Sequence, residues 1–432
     1  MTKILHRVTK LFQPVVHHPE GATPKCDTRS KSYQLMIDLG IISSTSPGMY
    51  SLLPLGLRSL EKLIKIVDYE MESIDGQKLL LPSLTNTKLW EKSGRLNDNI
   101  DSSELFQLKD RHGHSYLLSP TYEEAITSFL SSRGKIERKS LPLLLYQIST
   151  KWRDEMKPRL GLFRGREFIM KDLYSFDIDI ENAQKTYELV GQSYENILLK
   201  IGLPYIIAES DTGSIGGIIS HEYLYPANIG EDTIMINKKS NLAINSSLFD
   251  EKNKYQADFE KVSAIEIGHT FLLGSKYSKP LGATCRINGS NVPLTMGCFG
   301  LGLTRLMAAS LEISSTDKCL RWPKLIAPFT VYLIPPKELS HESIANHFVD
   351  KILDILNNKN IDVIVDDRTK LTIGNRMVNA KRTGYPYIIV VGKSAILENP
   401  LFEILDVNNE KQYNFSVEQL NDFFSVSNNY NN

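Results

Sequence analysis

The chain has 432 residues, too many for one ordinary hydrophobic core, so two or three domains are expected. Fifty basic and fifty acidic residues cancel, which excludes a protein that grips nucleic acid by bulk charge but permits a local basic patch. Cys26, Cys285, Cys298 and Cys319 form no C-x-x-C pair and no metal-ligand spacing with the histidines, and no run of about eighteen apolar residues exists, so a reducing compartment without structural zinc or a membrane is the simplest reading.

The first residues, MTKILHRVTKLFQPVVHHP, carry Lys3, Arg7 and Lys10 and no acid before Glu20. Ile4, Leu5, Val8, Leu11 and Phe12 fall at helical spacing opposite those bases, so residues 1–24 read as a basic amphipathic helix of the mitochondrial presequence kind, with an ordinary basic arm as the alternative. From Pro54 to Ile74, apolar Leu57, Leu60, Ile64, Val67, Met71 and Ile74 recur every three or four residues, which predicts a long amphipathic helix followed by the strand KLLLPSL. LFQLKDRHGHSYLLSPTYEEAIT, 105–127, reads as two strands joined by a His-Gly turn, then a loop through Pro120 and Thr121 into a helix. Glu123 and Glu124 in its first turn suit the positive end of the helix dipole.

Residues 141–176, LPLLLYQISTKWRDEMKPRLGLFRGREFIMKDLYSF, form two apolar β-prone runs around a connector with Pro158, Gly161 and Gly165, which predicts an antiparallel hairpin with a long loop. Arg153, Glu155, Arg164, Arg166 and Glu167 cluster at the strand ends, and guanidinium forks held on rigid strands suit phosphate oxygens. A helix over 180–201 and the strand LPYIIAESD follow, then DTGSIGGIISHEYLYPA, whose glycines allow close backbone approach to a ligand. The 230–261 connector is short and polar. IEIGHTFLLGSKYS, 265–278, reads as a buried strand in which His269 is either a core residue or a pocket residue, and Glu266 has the hard oxygen donors that a phosphate-bridging cation prefers.

LTMGCFGLGLTRLMAASLEI, 294–313, leaves a strand through Gly297, Gly300 and Gly302 and enters a helix carrying Arg305. RWPKLIAPF reads as a linker through its prolines. Beyond it strands and helices alternate: TVYLIPP, a helix over 341–357 with Ile344, Phe348, Ile352 and Ile355 on one face, IDVIVDD, a helix over 375–382, YPYIIVVG, LFEILDV and the helix SVEQLNDFF, which predicts a small α/β domain with a mixed sheet. Asp366, Asp367, Arg368, Arg376, Lys381 and Arg382 cluster at its strand and helix ends, as residues that read base edges or as solvated charges.

Arg153, Glu155, Arg164 and Phe168 stand in the order Arg-x-Glu, loop, Arg-x-x-x-Phe, which resembles motif 2 of the class II aminoacyl-tRNA synthetases, and TKWRDE with RGREFIMKDLYSF is similar to the prolyl-tRNA synthetase family. GLGLTR resembles motif 3 and the Pro54 helix with its strand resembles motif 1, while SPTYEE, DTGSIGG, IEIGH and TMGCFG carry the prolyl branch. The resemblance spans about residues 25–425. Trp152 stands where the family commonly has Phe, and Gly165 where bacterial relatives often have Ser.

The resemblance implies an α/β (α+β) chain: a class II catalytic domain over 25–322, an antiparallel sheet flanked by helices, with motif 1 at about 48–84, motif 2 at about 141–176 and motif 3 at about 294–313, and a mixed α/β anticodon-binding domain over 329–432. It implies ATP-dependent activation of L-proline with Mg2+ and transfer to tRNA(Pro), by a homodimer built through motif 1. Arg153 and Arg305 would be catalytic; ATP would lie on Arg153 (α-phosphate), Glu155 (adenine amino group), Arg164 and Arg305 (γ-phosphate), Phe168 (adenine face) and Glu266, with Glu266 also a Mg2+ ligand. Proline would lie on Thr121, Glu123, Arg153, His269 and Cys298, and Asp367, Arg368, Arg376, Lys381 and Arg382 would face the anticodon. The expected location is the mitochondrial matrix, or the cytoplasm if residues 1–24 are no presequence. The connector 230–261 leaves no room for the editing domain that bacterial relatives often insert there. A non-catalytic nucleic-acid-binding paralogue would have lost the phosphate ligands that are retained here, and a threonyl enzyme would show a zinc-ligand Cys/His set that is missing; a seryl enzyme is the other enzymatic rival.

Overall fold

The computed structural model describes residues 5–16, 30–96, 104–134, 136–249, 258–287 and 289–426. Cys26 and the first four residues of the basic N-terminal segment lie outside these. The described chain forms two compact units, one from residues 44–50 and 63–309 and the other from 1–43, 51–62 and 310–432.

The first unit is built on a nine-stranded sheet whose centre is antiparallel: Phe259–Gly274, Thr295–Gly302, Glu167–Asp177 and Leu143–Trp152, in that order. The expected hairpin over 141–176 supplies two of these. One face of the sheet is covered by the helix Ile180–Ile201, which starts where the Asp179 carboxylate accepts from the Asn182 N–H and ends at left-handed Gly202, φ +79°. It buries Tyr187, Val190, Tyr194, Ile197 and Leu198 against the strands. On the other face, Tyr122 at the N-cap and Ile126 and Leu130 of the helix Glu123–Ser132 pack with Tyr174, Phe176, Phe271 and Met296. The two strands expected around His112 and Gly113 are Gln107–Lys109 and Ser115–Leu118, turned at Gly113, φ +84°. The 230–261 connector is not a free loop: Asp232–Asn237 and Leu242–Asn245 join the sheet.

Several expectations about elements need correction. The helix Pro54–Glu72 is present with Pro54 at its first position, but its buried stripe is Leu60, Leu63, Val67 and Met71, while Leu57 is 44% exposed. The run after it is broken into two short strands, Gln77–Lys78 beside Leu145 and Tyr146 and Leu84–Asn86 beside Tyr116–Leu118. The supposed linker at 321–329 is packed, with Trp322, Ile326 and Phe329 buried and the Trp322 indole N–H donating to Thr383 O at 2.9 Å.

The second unit has a six-stranded sheet in the order His6–Arg7, Val363–Val365, Val331–Ile334, Tyr387–Val390, Phe402–Asp406 and Lys411–Phe415, parallel through the fourth strand and antiparallel beyond it. Its core joins Val331, Val363, Ile389 and Ile404 to Ile352 and Leu356 of the helix His347–Asn358 and to Leu420 and Phe424 of the last helix. The 341–357 helix expected from the sequence begins only at His347; residues 341–346 are a 3-10 turn and Ile344 is exposed. The basic N-terminal segment, where described, is not an amphipathic helix. His6–Arg7 extends along Ile364–Val365 and Val8–Lys10 makes one 3-10 turn. A short isolated helix is marginal in water, whereas an open sheet edge satisfies the main chain at once. Among the described residues no helix is long and apolar enough to cross a membrane.

Candidate active site

Strand register assembles the site. Glu222, His269, Gly300, Asp172 and Gln147 stand opposite one another in a row across five strands, and Phe271, Cys298 and Tyr174 form the next row on the same face. Gly300 and Gly302 leave a gap in these rows; a methyl group there would meet only ordinary contacts at 3.5 Å or more. At Gly297 the constraint is different, since an added Cβ would fall 2.7 Å from the Phe299 ring. Above the rows lies a cavity of about 520 Å³ within the first unit, lined among others by Trp90, Arg95, Thr121, Arg153, Glu155, Phe168, Glu266, His269, Cys298, Gly300 and Arg305. Eight of the ten catalytic, ATP and proline residues expected from the sequence therefore line one cavity.

At the end expected to take phosphate, the Arg153 guanidinium carbon stands 5.2 Å from the Phe168 ring centroid. Burial lowers the Arg153 pKa and the nearby Arg305 charge lowers it further. The Arg305 Nε donates to Phe163 O at 2.8 Å and its Nη1 to Glu266 Oε2 at 3.1 Å. Burial pushes the Glu266 carboxyl up, but the His269 hydrogen bond and the Arg305 and Arg153 charges outweigh it and hold the pKa at about 2. Glu266 is thus ionised at neutral pH beside two guanidinium groups, an arrangement for dispersing anionic charge. The ligand atoms of Glu222, Glu266 and His269 lie within 4.8 Å of one another, a donor set able to hold a cation.

Arg164 does not line the cavity. Its Nε donates to Glu155 Oε2 at 2.8 Å and its Nη1 to Glu231 Oε2 at 3.2 Å, so the two residues expected on opposite ends of ATP are paired with each other.

At the other end, Glu123 is fully buried behind Thr121 and Cys298 rather than on the cavity wall. The Thr121 hydroxyl lies 2.7 Å from both Glu123 oxygens and the Cys298 thiol donates to Oε1 at 3.0 Å. Burial and the Glu123 charge push the Cys298 thiol well above its ordinary pKa, so it remains a neutral donor. His269 is fixed on both nitrogens, Nε2 at 2.6 Å from Ser220 Oγ and Nδ1 at 3.1 Å from Glu266 Oε1, and stacks on Phe271 with 4.0 Å between centroids.

Sequence reasoning missed several groups. Arg95 is 8% exposed, bonds Glu123 at 3.2 Å and Glu124 at 3.3 Å, and lies over Trp90 at 4.2 Å. Burial raises the Glu124 carboxyl against the pull of Arg95. Lys151 and Asp172 form a buried ion pair at 2.6 Å, and Tyr174 Oη accepts from the Tyr122 N–H at 2.8 Å. Nothing local in LWEKSGR marks Arg95 as buried; the one available signal is its place just past a short helix carrying Trp90.

Of the residues expected to face the anticodon, Asp367 and Arg368 follow the strand Val363–Val365, and Lys381 and Arg382 close the helix Ile373–Thr383. Arg368 is bidentate on Asp366, both bonds 2.8 Å. Arg376 is fully buried and donates to Asp366 O at 3.2 Å, so it braces this loop from beneath instead of standing at the surface.

Residues 106–314 match the tRNA synthetase class II core domain (G, H, P, S and T), and residues 330–426 match an anticodon binding domain. A rat protein named probable mitochondrial proline–tRNA ligase is 42% identical over 93% of this chain and 87% of its own, and its human counterpart 44% identical over 88% and 81%. Proline–tRNA ligase of the bacterium Ehrlichia canis is 36% identical over 91% and 95%. In fold the chain resembles crystal structures of Cryptosporidium parvum prolyl-tRNA synthetase, one with halofuginone and AMPPNP (TM-score 0.76, 17% identity, 92% of this chain and 77% of that one) and one with L-proline and AMP (TM-score 0.74, 16% identity, 92% and 78%). With the motif residues gathered around one antiparallel sheet and relatives above one-third identity over nearly its whole length, the chain belongs to the prolyl-tRNA synthetase family of class II aminoacyl-tRNA synthetases.

Proposed function

We propose that this enzyme activates L-proline with ATP and transfers it to tRNA(Pro) in the mitochondrial matrix, working as a homodimer. The observation that carries the chemistry is the convergence of Arg153, Phe168, Glu266 and Arg305 on one cavity that also reaches Thr121 and Cys298. The proline carboxylate attacks the α-phosphate in line, pyrophosphate leaves, and the terminal ribose hydroxyl of tRNA then takes the prolyl group and releases AMP. Such a displacement needs positioning and dispersed positive charge more than a strong base. Arg153 takes the α-phosphate, Arg305 and Arg164 the γ-phosphate, and Phe168 and Glu155 the adenine; for Arg164 and Glu155 this requires their mutual ion pair to open. Glu266, ionised at neutral pH, fits Mg2+, which would neutralise phosphate charge when bound.

The proline amine, with two N–H donors, goes to Thr121 and Glu123. Because Thr121 covers Glu123, its hydroxyl must swing off one carboxylate oxygen as the amine arrives. His269, Phe271 and Cys298 close the wall around the ring. The mitochondrial location is supported by the names of the rat and human relatives, and the dimer by the resemblance of the Pro54–Glu72 helix to motif 1. The test is charging of tRNA(Pro) with labelled proline by the purified protein: ATP-dependent, proline-specific ester formation is expected, and its absence with tRNA that a known prolyl enzyme charges would refute the reading.

A further inference from the structure

His6 and Arg7 run parallel to Ile364 and Val365, and the same register carried two residues on brings Thr9 level with Asp367. The Thr9 N–H donates to Asp367 Oδ1 at 2.9 Å and the Thr9 hydroxyl to Oδ2 at 2.5 Å. The arm then ties down further along the same unit: the Gln13 side chain donates to Leu39 O at 2.9 Å and the Val16 N–H to Asp38 O at 2.8 Å. A residue 358 positions away in sequence thus fixes the orientation of a half-exposed carboxylate. The adjacent Arg368 is committed to Asp366. Among the described residues Asp367 makes no ion pair; burial pushes its carboxyl up, and the two Thr9 donors outweigh that and hold its pKa below the usual value.

An ionised carboxylate offers about two lone-pair directions on each oxygen. Thr9 takes one on each, which leaves one on each for a pair of parallel N–H donors. Guanine is the base whose Watson–Crick edge presents two adjacent N–H donors, N1–H and N2–H. Proline codons begin with two cytosines, so the matching anticodons carry two guanines, and sequence-specific RNA recognition acts on such unpaired loop bases. We propose that Thr9 is a positioning residue for tRNA recognition: the N-terminal arm orients the Asp367 carboxylate to accept the N1–H and N2–H of an anticodon guanine. This rests on the reading that the 329–432 domain binds the anticodon, and on residues 5–16 belonging to the folded enzyme, where they bond the second unit, and not to a presequence removed on import.

The experiment uses the full chain and tRNA(Pro) transcripts in which each anticodon guanine in turn is replaced by inosine, which lacks the N2 amino group. Charging kcat and KM for tRNA are referred to each variant's own pyrophosphate exchange, which needs no tRNA. The wild type should lose about tenfold in kcat/KM on one inosine transcript. Asp367→Asn should lose a comparable factor on the guanine transcript and no longer separate guanine from inosine. Thr9→Val, which keeps the shape and the main-chain bond, should raise KM for tRNA several-fold and narrow the guanine-to-inosine ratio, and Thr9→Ser should restore both. A wild type indifferent to every inosine would overturn the reading that Asp367 meets a guanine N2–H, and the proposal with it. Discrimination lost in Asp367→Asn but intact in Thr9→Val would leave that reading standing and overturn the role of the arm, as would a Thr9→Val whose only change is a lower melting temperature.

Discussion

The catalytic sheet and the rim of the C-terminal domain both gather Arg, Lys and Asp or Glu, but they hold them in different ways. On the catalytic sheet the charges sit on or just beyond strands whose pairing sets them in rows over one cavity, so neighbours three strands apart in space are fixed by register. At the rim they sit on a loop and a helix end, and several are already engaged among the described residues: Arg368 with Asp366, Arg376 through Nη1 alone with the main chain, Arg382 with Asp38 at 3.9 Å. Arg153 and Arg305 face an open cavity and, although Arg305 also bonds Glu266, stay within reach of a ligand there, whereas rim charges turned onto each other or the main chain mainly shape the surface on which a ligand lies. Substitutions should therefore be severe and reaction-specific in the first region and graded in the second.

The largest effect is expected at Arg153. Arg153→Ala should reduce proline-dependent pyrophosphate exchange at least ~100-fold, as for the loss of one preorganised transition-state donor; exchange near the wild-type rate would remove Arg153 from the α-phosphate. Next comes Glu123. Glu123→Gln should raise KM for proline about tenfold or more, the worth of a charge-assisted bond, with little change in KM for ATP. Equal effects on both would show that the buried carboxylate merely holds the Thr121 loop. At the rim, Lys381→Ala and Arg382→Ala should each raise KM for tRNA several-fold and lower its salt dependence, without altering discrimination among anticodons. A change in discrimination would mean that one of them reads a base. Truncation at Phe329 is a poor substitute for these variants, because Arg58 and Lys62 bond Asp362 at 3.1 and 2.8 Å within the same unit.

The smallest effect lies on the far face of the catalytic sheet. Burial lowers the Lys171 pKa to about 7 against the pull of Asp172, and its unfolded value is about 10.4. Between those values the unfolded chain binds a proton that the folded chain has released, so this group makes stability rise with pH across that window. In Lys171→Met the melting temperature should climb less steeply from about pH 7 to 10 than in the wild type. Identical slopes would place the amine in a less costly environment than its bonds to Tyr194 and Phe299 O describe.

The same contrast explains what was legible in the sequence. Motif spacing carries information where strand period and pairing convert it into position, so Arg153, Phe168, His269, Cys298 and Arg305 could be assigned to one site before the fold was known. Arg95 could not, because its burial depends on two glutamates 28 and 29 residues away. Glu123 is expected to face the pocket, and the structure instead buries it behind Thr121, a matter of rotamers and not of spacing. The helical periodicity of the basic N-terminal segment is not expressed as a helix for a further reason: it is local, while the sheet edge that residues 6–7 join is formed by residues 363–365.

The central claim is that this cavity makes prolyl-adenylate. ATP–pyrophosphate exchange measured on the purified full-length protein with each of the twenty amino acids tests it most directly. Proline should drive exchange far above every other amino acid, with smaller alanine the next best, since lost contacts to methylene-sized groups give limited discrimination. Exchange driven best by another amino acid, or none with proline while the protein is folded and binds ATP, would contradict the account.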